Sequence, residues 1–151
     1  MRVMGSSRPS PLESRPAGPG AAVGVDEDLI RQVVHGFYAR ARVDPLIGPV
    51  FARVPDAEWA AHLAKLCDFW SSVLLATRRF AGRPMQAHAA IPQLAPGHFV
   101  RWLELFGETA REVCPPDAAA LFVARAEMIA ESLQLGLAAS RGESPPLRRR
   151  T

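Results

Sequence analysis

Apolar residues recur along this chain at intervals of three and four and nowhere at a sustained interval of two, so the pattern predicts helices and no half-buried strands. Leu29, Ile30, Val33, Val34, Phe37, Tyr38 and Ala41 form one apolar stripe, with Asp26 placed to cap the helix and acidic residues in its opening turn. Asp44-Pro45 opens a second, short helical piece that Gly48-Pro49 is expected to break. Pro55-Asp56 starts a long helix over 57–78, with Asp56 as cap and Glu58 in the first turn. Residues 79–96 contain Gly82, Pro84, Pro92 and Pro96 and read as mostly irregular, with about one turn of helix near His88. Helices over 97–113 and 118–138 follow, parted by Pro115-Pro116-Asp117. The last is expected to turn Leu121, Ala124, Met128, Ile129, Leu133 and Leu137 inward. The expected fold class is all-α, with four substantial helices and one broken short one.

Length and composition fit one domain: 151 residues, 48% hydrophobic. Residues 1–25 and 141–151 are rich in Pro, Gly, Ser and Arg and are expected to stay disordered, leaving 26–140 as the folded unit. The net charge of +3 invites a nucleic-acid reading, but seven of the 18 basic side chains and only two of the 15 acidic ones lie in those tails. The folded unit therefore carries a net −2, and a folded nucleic-acid surface loses its support. No apolar run approaches the roughly 18 residues of a membrane span, and the N-terminus lacks the apolar core of a secretory signal. The expectation is a cytoplasmic protein that binds neither nucleic acid nor membrane. Cys67 and Cys114 offer no disulfide framework and no metal-ligand spacing.

On the helix over 57–78, His62, Leu66, Phe69 and Val73 share one face, and Trp59, Leu63 and Trp70 widen it. A single histidine on an apolar face is ordinarily a core residue. His88 changes that, because it lies 26 residues on, in a Gly/Pro-bounded segment with too few apolar neighbours for a packing helix. A zinc site built from side chains alone fits badly. The four histidines are 27, 26 and 10 residues apart, and neither Cys-x-x-Cys nor His-Glu-x-x-His occurs. No nucleophile elbow, P-loop or dinucleotide fingerprint is present. A helix-borne histidine, a loop-borne histidine and large apolar residues around both suit a flat apolar cofactor with a metal at its centre. Haem needs one nitrogen ligand, an apolar slot and donors on the opposite face. His88 would supply the ligand, and Tyr38, His62 and Trp102 the polar contacts.

Further landmarks share this arrangement: Phe37-Tyr38, Asp44-Pro45, Gly48-Pro49-Val50-Phe51, Glu58-Trp59, Phe69-Trp70, Pro84-Met85, Phe99 with Trp102-Leu103-Glu104-Leu105-Phe106, and Ala130-Glu131-Ser132-Leu133. Together they resemble the group III truncated haemoglobins over residues 26–138. The resemblance implies a truncated two-over-two helical globin fold whose proximal segment is mostly irregular, binding haem b. It implies His88 as the proximal iron ligand, and Tyr38, His62 and Trp102 on the distal side. Phe37, Phe51, Leu66, Phe69, Trp70 and Met85 are then the apolar walls. O2, NO and CO are the implied ligands of a monomer, with redox, nitric-oxide or peroxide chemistry favoured over bulk transport and room for a reductase partner. A haem-dependent dioxygenase or a peroxidase-like activity would fall within that chemistry. Two other readings of the residues stay open: a non-haem helical ligand-binding or sensor module using the same slot, and a structural bundle whose histidines have no special task.

Overall fold

The computed structural model describes residues 18–143 apart from 90 and 92, and within that span it gives no side chain for 85, 86 or 89. Helix α1, Glu27–Ala41, begins as its sequence predicts: the Asp26 carboxylate accepts the Leu29 N–H at 2.9 Å, and Glu27 and Asp28 place negative charge at the positive end of the helix. The next helix departs from expectation. Gly48-Pro49 does not break it but starts it: α2 is Gly48–Phe51, with proline in the first turn, where a missing N–H costs nothing. Glycine is required at 48, since a Cβ would come within 2.7 Å of the Arg42 carbonyl oxygen.

Helix α3 runs Trp59–Leu75, shorter at both ends than the predicted 57–78. Asp56 does not cap it; residues Asp56–Glu58 form a separate 3-10 turn, and the Asp56 carboxylate accepts from Arg42 at 2.8 Å. At the far end Ala76 and Arg78 take φ of 56° and 61°, a left-handed conformation that non-glycine residues adopt only when surroundings impose it. Those surroundings are polar. Ser71 donates to Glu27 and shares a hydrogen bond with Thr77, both at 2.9 Å, and Arg79 pairs with Glu27 at 3.0 Å.

Part of the expected N-terminal tail packs here. Gly20 donates its N–H to the Leu74 carbonyl at 2.7 Å, and Val25 is buried. A Cβ on Gly18 or Gly20 would come within 2.6 or 2.9 Å of that same oxygen. Glycine therefore gives close backbone docking where composition reads only as disorder. The remainder of both tails lies outside the described residues.

Three helices complete the chain: α4 Pro84–Ala89, α5 Pro96–Val113 and α6 Pro116–Ser140. The short α4 is the single turn expected near His88. On α6 four of the predicted inward residues face the core, Leu133 and Leu137 buried and Leu121 and Ile129 packed against it, but Ala124 and Met128 are exposed, Met128 by 57%, and the rest of the buried face includes Ala119, Phe122, Ala126 and Ala130. Alanine is the cause: it carries little hydrophobic signal, and the true stripe is built largely from it. Helix α5 packs on α6, α1 bridges to α5 and to α3, and α4 lies on α6. No strand occurs among the described residues, and none of their helices is long and apolar enough to cross a membrane.

The core is aromatic. Phe106 stacks on Trp70 at 5.0 Å between centroids and on Trp102 at 5.4 Å, with Phe37 and Phe122 edge-on or tilted around it. Beside this stack, the buried Asp44 ties the α1–α2 turn to α5, accepting from Leu46 N–H at 3.0 Å, Ile47 N–H at 3.1 Å and Arg101 Nε at 2.8 Å. The Ile47 N–H, helped by Arg101, holds its carboxyl below the usual carboxylate range against the opposing effect of burial.

A carboxyl lowered on folding stabilises fully above its unfolded pKa of about 3.9, and loses that contribution as pH falls through the folded value. Asp44→Asn keeps an acceptor for the two amides but loses the charge, so it should cost about 1.5–3 kcal/mol at neutral pH and much less near pH 3. Urea unfolding at both pH values reads this out. An equal loss at the two would mean that the charge is irrelevant.

Candidate functional site

The helices leave a cavity of about 460 Å³ between them, within the range of about 300–1,000 Å³ usual for small-molecule sites. Eight of the sequence-predicted residues line it: Tyr38, Phe51, His62, Leu66, Phe69, Trp70, His88 and Trp102. Phe37 does not. It is fully buried one layer behind, edge-on to Tyr38 at 4.6 Å and to Trp102 at 6.0 Å. Successive residues of a helix point about 100° apart, so Tyr38 reaches the cavity and its neighbour Phe37 the core. The Met85 side chain lies outside the described residues.

Three predicted polar groups meet on one wall. The Trp102 indole N–H lies near enough to the Tyr38 hydroxyl to favour its ionised form slightly. Burial raises the Tyr38 pKa far above its ordinary value, outweighing the lowering by that indole, so the phenol stays protonated and remains a donor. The His62 ring lies 6.3 Å from that of Tyr38 and 5.2 Å from that of Trp59. Its Nε2 is buried and has no hydrogen-bond partner, an arrangement that costs free energy unless a ligand completes it. Arg42 lies over Trp59 at 4.0 Å and, through its pair with Asp56, fixes the indole on which His62 rests.

Two further histidines line the cavity, in contrasting states. His88 Nδ1 lies 2.6 Å from the Pro84 carbonyl oxygen, which can only accept, so Nδ1 carries the proton and the neutral ring has its lone pair on Nε2. That is the tautomer a metal ligand needs, and the hydrogen bond fixes the ring's orientation. His98 is the reverse. Its Nδ1 accepts the Ala95 N–H at 3.1 Å, so in the neutral ring the proton lies on Nε2 and no lone pair is left to coordinate. Backbone partners thus separate the ligand-competent histidine from its neighbour.

Sequence reasoning missed the charge of the cavity. Arg53, Lys65 and Arg83 line it, and no carboxylate does among the described residues. Lys65 was legible, standing three residues after His62 on the same helical face; Arg53 and Arg83 flank turns and carry no periodic signal. The site is an apolar slot with a cationic edge, suited to a flat apolar molecule that bears acidic groups. Thiol chemistry has no place in it: burial pushes Cys67 upward and Cys114 up to about 11, so neither ionises readily. Nor do three His, Cys, Asp or Glu side chains gather as a metal cluster among the described residues.

An all-α bundle whose helices enclose an apolar cavity lined by three histidines has the architecture of a helical globin. No protein-family model matches the chain. Over 113 residues, 73% of this chain and 89% of the relative, it is 31% identical to the group 3 truncated hemoglobin ctb of Campylobacter jejuni. The crystal structure of the group III truncated hemoglobin from that organism superposes with a TM-score of 0.71 at 31% identity, covering 75% of this chain and 91% of that one. The chain belongs to the group III truncated haemoglobins. Membership carries with it a haem cofactor.

Burial first, and then the nearby Lys65, hold the His62 imidazole below its ordinary pKa, so it is neutral at pH 7. Lys65→Met should move that pKa upward while leaving it under the model-peptide value of about 6.5. Histidine carbon-13 NMR on the ligand-free chain measures it directly; an unmoved titration would leave burial as the sole cause.

Proposed function

We propose that this chain binds haem b in the cavity and, at the iron, O2 and other diatomic ligands such as NO and CO. The observation that carries the reading is the bond from His88 Nδ1 to the Pro84 carbonyl, which presents an unprotonated Nε2 to the slot. His88 is the proximal ligand, Phe51, Leu66, Phe69 and Trp70 form the walls, and Arg53, Lys65 and Arg83 receive the propionates. Met85, one turn before His88, is assigned to the same wall from the sequence. Bound haem supplies an open coordination position and one-electron redox chemistry.

The protein's own residues set what happens to a ligand there. Tyr38 keeps its proton at Oη under all physiological conditions and offers it to the cavity, with the Trp102 indole near that oxygen. His62 is neutral, and its Nε2 is free to complete a hydrogen bond. The buried aromatic core behind the wall excludes water, which strengthens each of these contacts. Several donors aimed at one ligand favour a species that gathers negative charge. That supports redox, nitric-oxide or peroxide chemistry, with a reductase returning the electron, over bulk transport.

Purified chain reconstituted with haemin should show a strong Soret band. His88→Gly should lose it unless imidazole is added, and His98→Ala should keep it. Loss in His98→Ala with retention in His88→Gly would reverse the assignment.

Tyr38→Phe and Trp102→Phe keep most ring volume and remove a donor. A hydrogen bond to a charged acceptor is worth about 1.5–3 kcal/mol, so O2 release should quicken on the order of 10- to 150-fold. CO gathers little charge when bound, and its release should change far less. Stopped-flow rates for both gases decide; equal acceleration would mean that the residue acts through shape.

A further inference from the structure

Helix α6 does not simply end near the cavity; the first residue beyond it, Arg141, reaches back to the segment that follows His88. Ser140 is the final helical residue, and Arg141 caps it with its N–H directed to the Leu137 carbonyl at 3.0 Å. Gly142 takes a left-handed φ of 69°, and Glu143 N–H returns to the Ala138 carbonyl at 2.8 Å. This closed terminus fixes the Arg141 backbone. Its side chain crosses to the segment between α4 and α5, where Nη1 donates to the Leu94 carbonyl at 2.6 Å and Nη2 to the Ile91 carbonyl at 2.9 Å.

Both contacted residues lie close to the ligand histidine. Ile91 and Leu94 line the cavity, and Ile91 donates its N–H to the His88 carbonyl at 3.0 Å. Leu94 is buried against Phe99, Leu133 and Leu137, so the same stretch is held by apolar contact on one side and by the guanidinium on the other. Helix α4 needs such help. Six residues are too few to persist as a helix alone.

We propose that Arg141 is a positioning residue for His88: its planar fork bridges two carbonyls and thereby sets where α4 lies and how the imidazole points. The proposal rests on the reading of His88 as iron ligand. A guanidinium suits the task because it presents two donors in fixed geometry, whereas a lysine ammonium is a single point charge on a flexible stem.

The test compares full-length native protein, Arg141→Ala, Arg141→Lys and, as control, Arg31→Ala on the exposed face of α1. In the ferrous haem-loaded proteins, resonance Raman reads the iron–histidine stretch, which a residue acting on stability alone would not move. Arg141→Ala should lower and broaden that band and speed haem transfer to a scavenging apoglobin on the order of ten-fold, the scale of one charge-assisted hydrogen bond. Arg141→Lys, which keeps the charge without the fork, should fall between it and native, and Arg31→Ala should match native. Hydrogen exchange on the same chains without haem should quicken over 87–95 in Arg141→Ala and leave α1 and α5 unchanged. An iron–histidine band and haem release in Arg141→Ala identical to native overturn the proposal, as does unchanged exchange over 87–95. The two failures are distinguishable. A native chain that takes up no haem overturns the ligand reading, while the exchange measurement needs no haem and still decides whether Arg141 fixes the segment.

Discussion

Phe106, held between the indoles of Trp70 and Trp102, is the contact on which the remaining geometry depends. Trp70 comes from α3, while Phe106 and Trp102 come from α5, so the stack sets the spacing of two helices that frame the cavity. Stacked and edge-on aromatic pairs each contribute about 0.5–1.5 kcal/mol beyond their burial, and the rings here are locked among Phe37 and Phe122 as well. Both indoles also face the cavity. The same close packing that holds the fold together therefore fixes where the Trp102 indole lies relative to Tyr38.

The electrostatic division of labour follows from backbone partners rather than from residue type. His62, His88 and His98 all line one cavity, yet a carbonyl facing Nδ1, an amide facing Nδ1 and a buried Nε2 facing nothing give them three different states. Chain geometry decides which nitrogen is free. Helices starting at proline set that geometry for His88 and His98 alike, because the residues around Pro84 and Pro96 put specific backbone groups within reach of each ring. In this chain, where the main chain turns sets different hydrogen-bonding states for identical side chains.

Much of this was legible in the sequence, and the misses have physical causes. The Asp26 cap, the α1 stripe and the Pro/Gly-rich break before α5 are local signals, and the structure follows them. Eight predicted site residues line the cavity, and of these His62, Leu66, Phe69 and Trp70 come together because spacing on one helix determines a face. Phe37 was lost to the core because two adjacent helical residues cannot share that face. The early end of α3 at Leu75 arises from Glu27 and Gly20, both remote in sequence, and no local pattern carries that information. On α6 the alanine-rich stripe was hidden because alanine is a good helix former but a weak hydrophobe, leaving Met128 to mislead.

The six-residue α4 has a consequence for the protein's life in the cell. Too short to fold by its own propensity, it is ordered by what it touches: α6 packs against it, and Pro84, Ala87 and His88 form part of the cavity lining. Anything that binds the folded chain and not the unfolded one adds stability that grows with the logarithm of its concentration. Occupancy of the cavity and survival of the polypeptide against proteases are then coupled through one turn of helix. Supply of the ligand becomes a control on how much of this protein persists, independent of how much is made.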